Sequence, residues 1–261
     1  MGKIIATVSG KGGTGKTTTV ANLGVSFAKL QKKTLVVDLD LGLRNLDLAL
    51  GLQDEVMYDV IDVIDGVCTL QDAVVESNRY TGLSFLAASQ FKEKNAISNE
   101  EMQSFVDTVR DLYDVVLLDC PAGIGENVSS AICAADTVLI VANHDPFSLR
   151  DGDRIASVVC DICEAELKLL VNRYKTKLVQ KGKMPNILQV VETMAVQLVG
   201  AVPDSDTILL SGYSGLPVVL NEKDPVRTAY TDTARRLLGE KIPLTDIRVK
   251  KRFLRKAKSN N

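Results

Sequence analysis

Two alternating patterns of apolar residues along the chain predict strands and helices in turn. Some runs are apolar throughout, as at residues 115–118 and 138–141. Such runs are typical of strands that are covered on both faces, and therefore of a mainly parallel sheet. The predicted strands are 4–8, 34–38, 83–87, 114–118, 137–142, 167–171 and 198–202.

The segments between these runs carry apolar residues at helical spacing. The predicted helices are 19–30, 98–111, 124–134, 147–164 and 223–238. Strand–helix alternation implies βαβ units with right-handed crossovers. The predicted fold class is therefore α/β, with a mainly parallel, twisted sheet and helices on both faces.

Candidate site residues lie at or just after the ends of several predicted strands. They are Asp38, Asp40, Asp119, Asn172, Arg173, Pro203 and Asp204. Ligands of open parallel sheets bind at the carboxyl ends of the strands. We therefore expect these residues to gather around one site.

The segment after the first strand matches a phosphate-binding pattern. Gly10, Gly15, Lys16 and Thr17 fit G-x-x-x-x-G-K-[ST] between a strand and a helix. Glycines let backbone N–H groups face phosphate oxygens, the lysine adds charge, and the threonine hydroxyl can bind Mg²⁺. A glycine loop that only turns the chain is the alternative. Lys11 is an additional lysine, either a solvated loop residue or a second cation directed at phosphate.

Three acidic residues have distinct expected roles. Asp119 follows four apolar residues, as does the acid that holds the Mg²⁺ hydration shell in phosphate-loop proteins, although a helix N-cap is the alternative. Asp38 and Asp40 alternate on an extended segment, so only one of them can face a γ-phosphate directly. Both could also be ordinary loop acids.

The charge of the chain is unevenly distributed. Of 261 residues, 46% are hydrophobic and 25% charged, and the net charge is −2. Residues 248–258 contain seven basic residues and no acid, and without them the net charge is −9. This predicts an acidic P-loop domain over 1–245 and a basic tail over 246–261. Five cysteines and no apolar run near ~18 residues favour a reducing cytoplasm and, at most, contact with a membrane surface.

The basic tail has the pattern of an amphipathic helix. Val249, Phe253 and Ala257 recur every four residues, and Leu254 flanks them. The cations beside them, which we expect to contact anionic lipid, are Lys250, Lys251, Arg252 and Arg255. This combination is typical of helices that lie in a membrane interface. A solvated charge run and a nucleic-acid arm are the alternatives.

Together, these motifs resemble the MinD/ParA group of deviant phosphate-loop ATPases, and within it the MinD family. The resemblance rests on Lys11 within the phosphate loop, on Asp38-Leu39-Asp40 and on Asp119-Cys120-Pro121-Ala122-Gly123. It extends over nearly the whole chain, through segments 42–47, 148–154, 199–204 and 229–239. It implies a SIMIBI-type P-loop fold that binds ATP and Mg²⁺.

The resemblance also implies residue roles. Lys16 binds the phosphates of its own nucleotide, Lys11 reaches the nucleotide of a second subunit, and Asp40 positions the attacking water. The nucleotide set is Lys11, Gly12, Gly13, Thr14, Gly15, Lys16, Thr17, Thr18, Asn172, Arg173, Pro203 and Asp204, and the metal set is Thr17, Asp38 and Asp119. Arg44, Asn45 and Leu48 are expected to meet partner proteins, and Asp151 is expected to pair with Lys11 before dimerisation.

The function that the resemblance implies is control of septum placement. ATP closes a homodimer, the dimer binds anionic lipids at the inner face of the cytoplasmic membrane, and it recruits a MinC-like inhibitor. A MinE- or DivIVA/MinJ-type factor sets its position. A DNA-binding, ParA-like partitioning ATPase and a flagellar-placement relative are the alternatives. Cys160 and Cys163 are expected to be buried apolar residues, and His144 a solvated loop residue.

Overall fold

In a computed structural model, which describes residues 1–91 and 97–244, the chain forms one eight-stranded sheet. The strands are β1 (Lys3–Val8), β2 (Thr34–Asp38), β3 (Val75–Glu76), β4 (Leu83–Leu86), β5 (Val115–Asp119), β6 (Thr137–Asn143), β7 (Glu166–Tyr174) and β8 (Gln197–Pro203). All seven predicted strands are confirmed. Their order is β3-β4-β2-β5-β1-β6-β7-β8. Every pair is parallel except β3 with β4.

The five predicted helices are also confirmed, within a few residues at their ends. The helices are α1 (Lys16–Lys29), α2 (Leu46–Leu50), α3 (Val60–Ile64), α4 (Leu70–Ala73), α5 (Asn99–Arg110), α6 (Glu126–Cys133), α7 (Pro146–Ile162), α8 (Thr176–Gln180), α9 (Ile187–Met194), α10 (Asp206–Ser214) and α11 (Pro225–Leu237). Local sequence fixes several starts. Ser98 and Asn186, for example, form capping boxes with Glu101 and Gln189 at α5 and α9.

Two apolar layers cover the faces of the sheet. Ile4 packs into one layer with α5, α6 and α7, whereas Ile5 packs into the other with α1 and α11. Neighbouring residues of a strand point to opposite faces, so a strand that is apolar throughout supplies both layers. The α/β fold with helices on both faces is therefore confirmed.

The elements that the sequence did not predict are short or lie at the surface. β3 has two residues, lies at one edge of the sheet and pairs only with β4 among the described strands. α10 has no buried residue in the described structure, so its apolar positions do not mark a core-facing side. None of the described helices combines the length and hydropathy that a membrane span requires. The tail predicted over 246–261 lies outside the described residues, as does residue 245 of the predicted domain.

Candidate functional site

Three central strands bring their carboxyl ends together. Asp38 of β2 and Thr7 of β1 are both register partners of Asp119 of β5. The loop from Ser9 to Gly15 leaves β1 beside them and leads into α1. The phosphate-loop motif and the acidic residues therefore meet at one edge of the sheet, as the sequence predicted.

The loop depends on glycine at two close approaches. Gly15 has a φ of 84°, and a Cβ there would lie 2.4 Å from Nδ2 of Asn172. A Cβ on Gly10 would lie 2.4 Å from Cβ of Asp151. Nδ2 of Asn172 also donates a hydrogen bond of 2.7 Å to the carbonyl of Thr14. The amide of Asn172 therefore holds the loop where α1 begins, and α1 presents its N-terminal N–H groups there.

Lys16 and Asp119 form a buried ion pair. Nζ of Lys16 donates a hydrogen bond to Oδ1 of Asp119, and both side chains are almost fully buried. Burial lowers the pKa of Lys16, but the charge and hydrogen bond of Asp119 outweigh it, so the pKa lies above its ordinary value. Lys16 is therefore a fixed positive charge at the start of α1.

Asp119 keeps a second oxygen available. Its Oδ2 is buried and, among the described residues, has no hydrogen-bond partner. A buried carboxylate oxygen of this kind suits a hard cation or its hydration shell. No group of three or more His, Cys, Asp or Glu residues in the described structure could hold a metal by itself. A Mg²⁺ ion that takes most of its ligands from phosphate and water fits this donor set, in which Thr17 and Asp119 would be the protein ligands.

Asp38 anchors the segment that follows β2. Its Oδ1 accepts a hydrogen bond of 2.9 Å from the N–H of Asp40, and its Oδ2 accepts bonds from the N–H groups of Asn45 and Leu46. Burial and the neighbouring Asp119 raise the pKa of Asp38 to about 7, against the lowering effect of the hydrogen bonds. Asp38 thus joins the end of β2 to residues 40, 45 and 46 through backbone hydrogen bonds.

The predicted partner residues lie on that same segment. Arg44 has a φ of 42° and donates from Nε to Oδ2 of Asp47 at 2.6 Å, so its guanidinium is held against its own segment. Asn45 is exposed, and Leu48 is 53% exposed on α2. Asp40 is half-buried, and its carbonyl accepts hydrogen bonds from the N–H groups of residues 43 and 44. An exposed surface therefore adjoins the acidic site.

Lys11 pairs with an acid other than the expected one. Its Nζ lies 3.9 Å from Oδ1 of Asp145, and its side chain is 42% exposed. Among the described residues Asp145, and not Asp151, is its ion-pair partner, which corrects the prediction. The carboxylate of Asp145 also caps α7 by accepting from the N–H groups of Phe147 and Ser148. Asp-Pro before a helical pattern is a signal of such a cap, so the sequence could have pointed to Asp145.

The four residues of the predicted nucleotide set outside the phosphate loop, Asn172, Arg173, Pro203 and Asp204, lie at the ends of β7 and β8. Asn172 is buried, whereas Arg173 is exposed with a φ of 51°. Asp204 forms an ion pair of 2.5 Å with Lys175, and its N–H donates to the carbonyl of Tyr174. Of these four, Asn172 bonds to the phosphate loop through its side chain, so the structure brings the two predicted sets together through it.

Two side predictions are wrong. His144 is buried rather than solvated, because its ring stacks on Tyr174 at 4.6 Å and Nε2 lies 2.8 Å from the carbonyl of Pro185. Cys160 is exposed and Cys163 half-buried, because the buried face of α7 is formed by neighbours such as Ile155 and Val159. Cys120 is fully buried beside the site, and burial raises its pKa to about 12, so it is a neutral thiol.

The fold and this edge of the sheet define a phosphate-loop protein of the α/β class. A match to a protein family agrees with this class: residues 2–171 match the AAA domain family. The septum site-determining protein MinD of Synechocystis sp. is 40% identical over 247 residues, which cover 94% of this chain and 93% of that protein. The chain belongs to the MinD family.

Solved structures show the same relationship. The MinC:MinD cell division protein complex of Aquifex aeolicus has a chain 38% identical to this one, with a TM-score of 0.87 over 94% of this chain and 99% of that chain. The septum site-determining protein MinD of Pyrococcus horikoshii, complexed with Mg-ADP, is 28% identical, with a TM-score of 0.81 over 91% of this chain and 96% of that chain. The resemblance inferred from the sequence motifs is confirmed.

Proposed function

We propose that this chain is an ATPase that controls septum placement through a cycle of dimerisation and membrane binding. The observation that carries the proposal is the buried pair of Lys16 and Asp119, with Oδ2 of Asp119 left for a hydrated cation. A phosphate-binding lysine and a metal-directed acid are the two charges that phosphoanhydride hydrolysis requires. Relatives named as septum site-determining proteins support the role in division.

The residues of the site fit a nucleotide with Mg²⁺. The backbone of Lys11–Thr18 and the ammonium of Lys16 are placed to bind phosphate, while Asn172, Arg173, Pro203 and Asp204 lie where β7 and β8 end. When bound, Mg²⁺ neutralises charge on the phosphate oxygens. Thr17 and Asp119 would hold the metal, and Asp38 would support it through water. The Mg-ADP complex of the Pyrococcus horikoshii relative supports this assignment.

Asp40 is the proposed positioning group for the attacking water. It follows the anchor Asp38, and its carbonyl closes the turn that leads into α2. This places it at the junction between the metal site and the exposed segment 43–48. Contacts of the γ-phosphate with this junction order the segment, and hydrolysis removes them. The conformation of the exposed segment 43–48 thus depends on which nucleotide is bound.

Dimerisation through Lys11 completes the site. The side chain of Lys11 is 42% exposed, and its ion pair with Asp145 is long, at 3.9 Å. Exchange of Asp145 for another anion therefore costs little free energy. In the ATP state Lys11 leaves Asp145 and contacts the phosphates of the nucleotide that is bound to the second subunit. The positive charge of Lys11 then stabilises the transition state in the second subunit, as an arginine finger does.

Membrane attachment and partner binding follow from the dimer. Two tails in one dimer bind anionic lipid with an avidity that one tail lacks. The tail residues lie outside the described structure, so their role rests on the sequence. Arg44, Asn45 and Leu48 are the proposed contact for a MinC-like inhibitor and for a MinE- or DivIVA/MinJ-type factor. The MinC:MinD complex of the Aquifex aeolicus relative supports the first of these. The protein is thus proposed to be cytoplasmic, with a peripheral membrane-bound state.

The proposal is tested by ATP turnover with and without anionic liposomes. We expect Mg²⁺-dependent turnover that rises on liposomes, because the surface concentrates the monomers that must pair. Removal of residues 246–261 should abolish the rise and leave the basal turnover. Turnover that responds to DNA and not to lipid would instead support a partitioning ATPase.

A further inference from the structure

The stretch that follows β7 is basic on an otherwise acidic body. Residues 173–191 contain no acidic residue and five basic ones, which are Arg173, Lys175, Lys177, Lys181 and Lys183. Without these five cations and the seven of the predicted tail, the net charge of the chain would be −14. Two short stretches thus carry local positive charge on a chain that is otherwise strongly acidic, and such stretches attract an anionic partner.

Three of the five cations have no counter-charge on the described body. Lys175 forms an ion pair with the acid that follows β8, and Arg173 belongs to the predicted nucleotide set. Lys177, Lys181 and Lys183 are exposed, and none of them forms an ion pair with another described residue. Because these three charges are not neutralised locally, they remain available to an anion outside the chain.

α8 presents its cations on the side away from the core. Thr176 is buried, and Val179 packs against the apolar layer that α5, α6 and α7 share. Lys177 and Lys181 lie one helical turn apart and share the exposed side. Leu178, next to Lys177, is 38% exposed. α8 is therefore a short amphipathic element whose outer side combines cations with an apolar residue.

The chain after α8 continues this surface. Gly182 has a φ of 66°, and the N–H of Lys183 donates a hydrogen bond of 2.9 Å to the carbonyl of Leu178. This turn brings Lys183 back beside α8. Leu188, in the first turn of α9, is 67% exposed. We call the following residues the α8 surface: Lys177, Leu178, Lys181, Lys183 and Leu188.

The predicted tail is attached next to the α8 surface. Arg236 donates hydrogen bonds of 2.7 and 3.0 Å to two carbonyls of the segment after α11, and one of 2.9 Å to a carbonyl of the edge strand β8. Leu244 then lines one groove together with Gln180 and Leu188. The tail predicted over 246–261 begins two residues later, and two residues span at most about 7 Å. A partner that meets the α8 surface is therefore within reach of the tail as well.

We propose that the α8 surface contacts anionic lipid and forms, with the tail, one membrane-facing side of the protein. The lysines attract anionic headgroups, and Leu178 and Leu188 can enter the boundary between headgroups and acyl chains. A nucleic acid would use the lysines but has no need of the exposed leucines. The inference rests on the proposed membrane role and adds to it a contact on the folded body.

A second contact changes both the affinity and the orientation of the bound protein. Each lysine close to an anionic surface strengthens binding about five-fold at low salt. A body that is held by its tail alone can rotate about that tail, whereas a body that also rests on α8 has one orientation. Because α8 follows the carboxyl end of β7, this orientation places the nucleotide edge of the sheet close to the lipid.

Contact is measured with single tryptophans, since the chain has none of its own. Three full-length variants, Leu178→Trp, Leu112→Trp and Phe253→Trp, are bound with ATP and Mg²⁺ to liposomes of phosphatidylglycerol and brominated phosphatidylcholine. Bromine quenches a tryptophan only where it touches the bilayer. Leu112 is the matched control, because it is 39% exposed and follows α5, away from α8. We expect quenching of Leu178→Trp and Phe253→Trp but not of Leu112→Trp.

Charge variants test the lysines. Lys177→Gln with Lys181→Gln removes two cations from the α8 surface, whereas Lys32→Gln with Lys33→Gln removes two that precede β2. We expect the first pair to weaken binding to the anionic liposomes about ten-fold or more, and the second pair by less than about two-fold. The difference should shrink at high salt, because ions screen exposed charges. Binding to duplex DNA is measured in parallel, and circular dichroism checks that each variant is folded.

The outcomes separate this inference from the proposed function. Quenching of Phe253→Trp without quenching of Leu178→Trp would overturn the inference and leave the membrane role intact. If neither tryptophan were quenched, the membrane role itself would fail, and this inference with it. Equal losses of lipid binding in the two lysine pairs would also overturn it. So would a loss of DNA binding in place of lipid binding, which would identify a nucleic-acid surface.

Discussion

Asp38 and Asp119 are register partners at the ends of two adjacent parallel strands, and each is the last residue of its strand. Lys16 supplies one positive charge to this acidic pair and bonds to Asp119. Asp38 is bonded by backbone N–H groups instead, and its pKa is raised to about 7. The two acids therefore differ: Asp119 is the paired anion, and Asp38 is a proton acceptor near neutral pH.

This difference predicts how stability depends on pH. Because the pKa of Asp38 is raised in the folded protein, its ionisation destabilises the fold as the pH rises from about 4 to about 7, and the effect is constant above that. The unfolding free energy of the wild type minus that of Asp38→Asn should therefore fall across this window. With about 1.4 kcal/mol for each pKa unit, the fall amounts to a few kcal/mol.

Urea denaturation with EDTA at several pH values measures this difference. Asp54→Asn provides the matched control, because it makes the same change at an exposed residue. A wild-type minus Asp38→Asn difference that stays flat or rises from pH 4 to pH 7 would show that Asp38 is not the proton acceptor.

Removal of Lys16 should affect stability and binding separately. Lys16→Ala leaves Asp119 buried without its partner, which costs about 3–5 kcal/mol of unfolding free energy. ATP binding, measured by calorimetry, should be lost. The double variant Lys16→Met, Asp119→Asn removes both charges, so it should regain stability but not ATP binding. A double variant that binds ATP normally would contradict the role of the pair in the site.

Asp40→Ala should separate hydrolysis from dimerisation. Loss of the water-positioning carboxylate slows turnover by about 10²-fold or more. The ATP dimer should persist, because Lys11, Lys16 and the loop are intact. Turnover and light scattering with ATP measure both properties in the same sample, with Asp54→Ala as a control. An Asp40→Ala protein with normal turnover would disprove the assignment.

Lys11→Ala should prevent the ATP dimer with little effect on the fold. The side chain is 42% exposed and its ion pair with Asp145 is long, so the unfolding free energy should change by no more than about 0.5 kcal/mol. Light scattering should show a monomer with ATP. Asp145→Asn keeps a side chain that can cap α7 and removes the charge that holds Lys11, so the variant should dimerise at least as readily as the wild type. If Lys11→Ala formed the ATP dimer with normal affinity, Lys11 could not be exchanging Asp145 for the phosphates of the second subunit's nucleotide.

The fold was predictable because its central strands are buried on both faces. A run such as residues 115–118 contains no polar residue, and all four residues are buried. In α5 and α7 the apolar residues recur at helical spacing, and they form the one buried side of each helix. α10 was not predictable in this way, since none of its described residues is buried and its apolar residues point to no core.

The site was predictable where a motif fixes both residue and backbone. Gly15 and Lys16 belong to such a motif, and their positions follow from the strand and helix on either side. The ion pair of Lys11 is different, because the choice between Asp145 and Asp151 depends on the tertiary placement of α7. His144 was wrongly predicted for the same reason: the strand end that buries it against Tyr174 comes from β7, a separate part of the chain.

In the proposed cycle, the state of the nucleotide sets membrane residence through the dimer. Co-sedimentation with anionic liposomes, in ATP and in ADP, tests it most directly. Two tails on one dimer should bind with an avidity higher by roughly 10²-fold than a single tail. We expect strong binding with ATP, weak binding with ADP, and weak binding of Lys11→Ala in both. Equal binding of the wild type in ATP and ADP would contradict the account.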